Sequence, residues 1–156
     1  MPAPILTLTS DFGLTDHYVA AMKGVILTIC PQARIVDISH GVNPFDSAEG
    51  AYLIAQAYPS FPPKTVHVEV VDPGVGTARR PILLEASGQY FVGPDNGVLS
   101  MVYSREKHKV RLISNDLYFR KPGSRTVHGR DLFSPEAGAF QAHQVQPVGL
   151  NVVSRE

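Results

Sequence analysis

Two hydrophobic periods divide this chain. Short apolar runs mark strands, and segments with apolar residues every three to four positions mark helices. Ile5 to Thr9 is an apolar run that breaks at Ser10-Asp11, as a buried strand does. Between Leu14 and Ile29, the residues Val19, Met22, Val25, Ile26 and Ile29 share one helical face, with Thr15 or Asp16 available as a cap and Pro31 as the stop. Arg34 to Ser39 is a second strand, and His40 to Phe45 a loop containing Gly41 and Pro44. Asp46 to Tyr58 reads as a second helix, capped by Asp46 or Ser47 with Glu49 nearby, and closed by Pro59, Pro62 and Pro63. On that helix Tyr52 is expected in the core. Thr65 to Val71 is β-branched and alternating, which makes it a strand.

The second half is richer in turns. Ile82 to Ala86 and Gln89 to Val92 pair as a hairpin across Ser87-Gly88. Gly93 to Gly97 is a loop whose Asp95-Asn96-Gly97 carries a type I′ turn signature, and a plain hairpin turn is its simplest account. Val98 to Tyr103 begins a short helix or a turn, Val110 to Ile113 a strand, and Asp131 to Phe140 a helix introduced by His128-Gly129-Arg130. The order β-α-β-α-β followed by hairpin strands implies an α/β fold. It is a layered domain with a central mixed, largely parallel sheet flanked by helices.

Composition narrows the class. The 156 residues suit one domain, and 44% hydrophobic content suits a packed core. Fourteen basic and fourteen acidic residues balance, so bulk charge gives no argument for nucleic acid or an acidic membrane as partner. The single Cys30 excludes an internal disulfide. No run approaches the roughly 20 apolar residues of a membrane span, and the first residues lack a basic-then-apolar leader. A cytoplasmic protein is the default expectation. The residues 151–156 open an apolar stretch and stop. The expected division is therefore a domain over 1–150 and the start of a linker or further domain over 151–156.

Candidate chemistry lies in four loops: Ser10 to Gly13, Asp72 to Arg80, Gly93 to Gly97 and His128 to Asp131. Ligands of open α/β sheets bind beyond the carboxyl ends of strands, which is where Asp11 and Asp72 fall. One carboxylate accepts from both vicinal hydroxyls of a ribose, so Asp11 fits a sugar. Helix capping or an Asx turn is the plainer account. Asp72 opens VVDPGVGTARRP, where a carboxylate and two guanidiniums share one glycine-hinged loop. It can orient or deprotonate a water or bind a cation; an Asp-Pro turn steadied by Arg79 or Arg80 accounts for it equally well, although two neighbouring arginines weaken that account. Gly74-Val75-Gly76 lacks the third glycine of a dinucleotide fingerprint, with Arg79 in its place, and no phosphate-loop lysine comes after it. His128 could join Asp11, Asp72 and Asp131 in a metal site, but no dense ligand motif supports one. Phe45 and Tyr18 can stack on a base or pack in the core.

Five segments, LTSDFGLTDHYVAAMKG, ISHGVNPF, VVDPGVGTARRP, FVGPDNGVLS and TVHGRDLFSPEAGAF, together resemble the N-terminal domain of the S-adenosylmethionine hydroxide adenosyltransferases, in the superfamily of the fluorinase and chlorinase. The resemblance runs from about Ile5 to Leu150. It implies hydrolysis of S-adenosylmethionine to adenosine and methionine by an activated water attacking C5′. No metal or other cofactor is needed, because the sulfonium makes methionine a good leaving group. The family's Asp-Arg-His triad matches Asp72, Arg79 and His128. Its ribose-binding acid matches Asp11. Asp16, His17 and Tyr18 fall where relatives contact the methionine end or the ribose, and Phe45 aligns with an aromatic that packs on the nucleoside. Asp95 and Asn96 match a shared motif to which the resemblance assigns no contact. The fluorinase carries a tyrosine at the position of Asp72, lacks the histidine of HGRD and has an inserted loop, so the hydrolase branch is favoured over a halogenase. Family members carry a second, β-rich domain and bind ligand between subunits of a homotrimer. A shortened chain thus leaves a non-catalytic nucleoside-binding remnant as the alternative.

Overall fold

The computed structural model describes residues 3–72, 80–113, 133–143 and 151–153. Its elements run β1 (Ile5–Ser10), α1 (Tyr18–Ile29), β2 (Arg34–Ser39), α2 (Ser47–Ala57), β3 (Val66–Val70), β4 (Pro81–Ala86), β5 (Gln89–Pro94), α3 (Ser100–Arg105), β6 (His108–Leu112), α4 (Ser134–His143) and β7 (Asn151–Val153). A one-turn 3-10 helix, Tyr58–Ser60, extends α2. The seven strands form one sheet in the order β2-β1-β3-β5-β4-β6-β7. Strands β2, β1, β3 and β5 are parallel, and the sheet continues through antiparallel pairs, β4 with β5, β6 with β4 and β7 with β6. The expected mixed, largely parallel α/β sheet is therefore present. The terminal apolar stretch contributes its edge, with Val153 opposite Val110.

Helices cover both faces. On one, Val19, Met22 and Ile26 of α1 and Phe133 and Ala137 beside them pack on Leu6, Leu8, Val66, Val68 and Val70. On the other, Ile54, Tyr58 and Val102 of α2, the 3-10 turn and α3 pack on Ile82, Leu84, Phe91 and Val110. Alternation along β3 thus splits its side chains between two covered faces, which is why all five of its residues are buried.

Local chemistry sets the element ends. Helix α2 is capped as expected, with Asp46 Oδ1 accepting from the Glu49 backbone N–H at 3.0 Å. Glu49 does not reach back to the cap. Its carboxylate instead accepts from the backbone and side-chain N–H groups of Asn43. Helix α1 begins at Tyr18, later than the apolar period from Leu14 suggested, because Leu14 lies 73% exposed in the preceding loop. Its N-cap position holds His17 without a side-chain cap, while Asp16 Oδ1 accepts from the Tyr18 N–H at 3.1 Å. The β4–β5 hairpin turns through Ser87 and Gly88, both at positive φ (55° and 71°), as a type I′ turn requires. Asp95-Asn96-Gly97, by contrast, joins a strand to a helix, β5 to α3, and is not a hairpin turn. Tyr52 is 53% exposed rather than core, since the buried face of α2 is Gly50, Ala51, Ile54 and Ala55.

The β1–β3 pair also carries polar side chains into the core beneath α2. His67 Nδ1 meets Thr7 Oγ1 at 2.6 Å, and its Nε2 meets the Gln89 side chain. Burial drives the imidazole pKa down to about 4, so it is neutral and packs on Phe91. Two residues on, Glu69 is fully buried beside Thr9, with neither carboxyl oxygen in a hydrogen bond among the described residues. Gly93 accommodates it. A Cβ there would lie 2.8 Å from the Glu69 carbonyl oxygen.

Burial pushes the Glu69 carboxyl well above its ordinary value near 4.5. The folded state holds this proton and the unfolded chain releases it, so its effect on stability worsens as pH rises past 4.5. Glu69→Met removes the buried polar group at nearly constant volume. At pH 8 it is expected to raise the unfolding free energy by about 1–3 kcal/mol, with a smaller gain at pH 4.5. Urea melts at the two pH values check this. Equal gains at both would show that no ionisation penalty exists.

Candidate active site

The four parallel strands point their carboxyl ends the same way. Ser39-His40 of β2, Ser10-Asp11 of β1, Val71-Asp72 of β3 and Asp95-Asn96 of β5 therefore share one edge of the sheet. Strands β1 and β3 are neighbours with Ser10 opposite Val70, so Asp11 and Asp72 leave the sheet side by side. From β1 the chain moves out to β2 by way of α1 on one face. It then returns past β1 to β3 by way of α2 on the other face. This is the reversal of strand order at which α/β sheets bind their ligands.

Asp11 is tied down. Its Oδ2 accepts from the Phe45 backbone N–H at 2.7 Å, joining the β1 loop to the loop after β2. Phe45 itself sits at φ 65° with its ring 65% exposed. An aromatic residue in the left-handed region costs of order 1 kcal/mol, and such positions concentrate at functional sites. The ring of Tyr18 lies 5.6 Å from Phe12 and 4.6 Å from His17, so three aromatic side chains cluster in the loop that follows Asp11 and the start of α1. The exposed Asp16 precedes His17 and Tyr18, its carboxylate engaged by the start of α1.

Asp72 is 8% exposed at the end of the central strand. The peptide before it is held by Asn96, whose Nδ2 donates to the Val71 carbonyl at 2.8 Å while its Oδ1 accepts from the Val98 N–H at 3.1 Å. The neighbouring Asp95 pairs with Arg80 at 3.1 Å, and its backbone N–H donates to the Arg80 carbonyl at 2.7 Å. Arg80 is thus engaged by the β5 loop. Arg79, His128 and Asp131 lie outside the described residues. Among the described residues, no group of three His, Cys, Asp or Glu side chains could hold a metal ion. No described helix is long and apolar enough to cross a membrane.

The pattern of the SAM hydroxide adenosyltransferase N-terminal domain matches residues 6–149. The chain belongs to this family. Among its relatives, the (R)-S-adenosyl-L-methionine hydrolase of Methanocaldococcus jannaschii is 48% identical over 83% of the chain and 50% of its own length. That of Salinispora tropica is 44% identical over 87% and 52%. A fluorinase from an Actinoplanes strain is 31% identical over 99% of the chain and 60% of its own length. The crystal structure of an uncharacterized conserved protein from Thermotoga maritima matches with a TM-score of 0.90 at 39% identity, over 96% of this chain and 59% of that one. The chain spans about half the length of the curated hydrolase relatives it matches.

The residues expected at the site divide three ways. Asp11 and Phe45 are joined directly, while His17 and Tyr18 pack on one another with Tyr18 against Phe12. Asp72 emerges from the adjacent strand. Arg79 and His128 lie outside the described residues. Phe12 and the anchoring role of Asn96 were not foreseen. The Asp-Asn-Gly signature marked the position of Asn96 but suggested the wrong connection. Asn96→Ala removes a half-buried donor to Val71 and the bond to Val98. It is expected to cost about 1–2 kcal/mol of stability and to lower turnover through the displaced Asp72 peptide. Denaturant melts beside rate measurements check both effects, and an unchanged melt would contradict the clamp.

Proposed function

We propose that this chain is the N-terminal domain of an S-adenosylmethionine hydrolase, in which water attacks C5′ and releases adenosine and methionine. The observation that carries the reading is the emergence of Asp11 and Asp72 side by side from β1 and β3, with Phe45 bound to Asp11. Closer likeness to the hydrolases than to the fluorinase supports it. A carboxylate at the attack position also repels a halide and assists a water.

In this reading Asp11 accepts from the ribose 2′ and 3′ hydroxyls. Phe45 covers the nucleoside, and Asp16, His17 and Tyr18 line the methionine end or the ribose. Asp72 accepts a hydrogen bond from the attacking water, Arg79 holds that carboxylate, and His128 completes the water's surroundings. As the C5′–O bond forms, the C5′–S bond breaks and its electron pair neutralises the sulfonium. The water's proton is lost to this cluster. The catalytic gain comes from positioning, exclusion of bulk water and proton removal. Methionine leaves without help from a metal, and S-adenosylmethionine is the substrate rather than a cofactor.

The domain would cover 1–150, with residues 151–156 leading toward the family's second domain. A cytoplasmic homotrimer completes the proposal. Turnover in ¹⁸O-labelled water tests the chemistry. Adenosine carrying one ¹⁸O at its 5′ oxygen is expected. Adenosine without label would exclude attack by water. Adenosine bound by the protein, with none formed from S-adenosylmethionine, would leave a nucleoside-binding domain.

A further inference from the structure

Behind the Asp11 loop runs a chain of polar side chains that the reaction itself does not use. Ser10 Oγ lies 2.6 Å from His40 Nδ1, His40 Nε2 lies 2.8 Å from Asp37 Oδ1, and Lys23 Nζ donates to Asp37 Oδ2 at 2.8 Å. Ser10 is fully buried and His40 is 5% exposed. Serine, histidine and aspartate in series suggest a nucleophile, but the geometry rules this out. Ser10 has no access to solvent, and the carboxylate sits on Nε2 with the serine on Nδ1.

The hydrogen bonds instead have one direction. Burial of Asp37 is outweighed by its bonds from Lys23 and His40, which hold the carboxyl below its ordinary value. An ionised carboxylate only accepts, so His40 Nε2 carries a proton and donates it. In the neutral imidazole this leaves Nδ1 as an acceptor, and Ser10 Oγ–H must donate to it. With its only proton committed, Ser10 Oγ turns a lone pair toward the Phe12 N–H at 3.3 Å. The His40 carbonyl meanwhile accepts from the Gly13 N–H at 2.8 Å. Asp11 lies between these anchored neighbours, and its own carboxylate accepts from Phe45, five residues after His40. Side chain, main chain and Asp11 thus stitch the loop after β1 to the loop after β2 at three points.

We propose that His40 is a positioning residue for the ribose site: through Ser10 and the Gly13 amide it fixes the loop that aims the Asp11 carboxylate. This rests on the reading of Asp11 as the ribose-binding acid.

The test compares adenosine with 2′,3′-dideoxyadenosine, by calorimetry, on the wild type and on His40→Ala, His40→Gln and His40→Asn. Asparagine places a carbonyl oxygen near the Nδ1 position and can still accept from Ser10, whereas glutamine reaches toward the Nε2 position. Wild type is expected to prefer adenosine. His40→Ala and His40→Gln should lose about tenfold of that preference with dideoxyadenosine binding unchanged, and His40→Asn should retain most of it. Hydrogen exchange at the Gly13 and Phe45 amides should quicken in the first two variants only. Unchanged preference and exchange in a folded His40→Ala would overturn the proposal, as would equal loss of both ligands. If His40→Ala does not fold, Ser10→Ala carries the same expectations. A wild type that fails to distinguish the ligands removes the Asp11 reading. The exchange rates at the Gly13 and Phe45 amides then still decide whether the stitch exists.

Discussion

Asp72→Asn is expected to suppress adenosine release by a factor of about 10²–10⁴ while leaving the melting curve and adenosine affinity close to wild type. The substitution keeps the volume and one acceptor oxygen, so the water can still be held. The amide cannot take up a proton, and that is the step on which general-base catalysis depends. The surroundings favour this reading over a simple turn residue. Asp72 is 8% exposed, comes after a strand buried along its whole length, and has its preceding carbonyl pinned by Asn96. A turn former needs no such support and tolerates asparagine. Single-turnover formation of adenosine, measured beside thermal melts, decides between the two. A folded variant within threefold of the wild-type rate would remove Asp72 from the chemistry.

The order of elements was legible because hydrophobic period reports burial directly. The β-branched alternation of Thr65 to Val71 and the spacing of Val19, Met22 and Ile26 both lie where the pattern placed them. Errors arose where an apolar residue has no core to face. Leu14 extends the helical period but is exposed in the loop before α1, and Tyr52 points away from the buried face of α2. Turn chemistry was ambiguous for a related reason. Asp-Asn-Gly favours a reversal, but the apolar residues after it decide its use. Val98, Leu99 and Val102 pack against α2 as the approach and first turn of a helix.

At the candidate site, sequence located loops rather than contacts. That Asp11 and Asp72 lie beyond strand ends is implied by the apolar runs before them. That those strands are neighbours emerges only from the sheet order. The bond between Asp11 and Phe45 spans 34 positions, and no local rule anticipates it. Ser10, His40 and Asp37 were equally hidden, since each is separately explained as a strand end, a loop histidine or a surface acid. Glu69 shows the converse. Its place in a confident strand said nothing of a carboxyl buried without a hydrogen bond among the described residues.

Asp11→Ala should weaken adenosine binding about a hundredfold or more, and Asp11→Asn about tenfold, with 2′,3′-dideoxyadenosine nearly indifferent to the asparagine change. An ionised carboxylate offers about four lone-pair sites, of which Phe45 occupies one. Enough remain for two vicinal hydroxyls, each charge-assisted bond contributing about 1.5–3 kcal/mol. Asparagine keeps one acceptor oxygen and presents an N–H₂ to the other hydroxyl, so one of the two bonds survives. Alanine loses both and also frees the Phe45 N–H, whose left-handed backbone at φ 65° then lacks this anchor. Alanine should therefore also weaken dideoxyadenosine somewhat, through the displaced ring. In turnover, losing a grip on the ribose that is equal in the ground and transition states raises KM with little change in kcat. Should Asp11→Ala reduce both nucleosides equally, the acid would be a loop staple rather than a sugar ligand. A nucleoside site at the β1–β3 edge would then need another group to recognise the ribose.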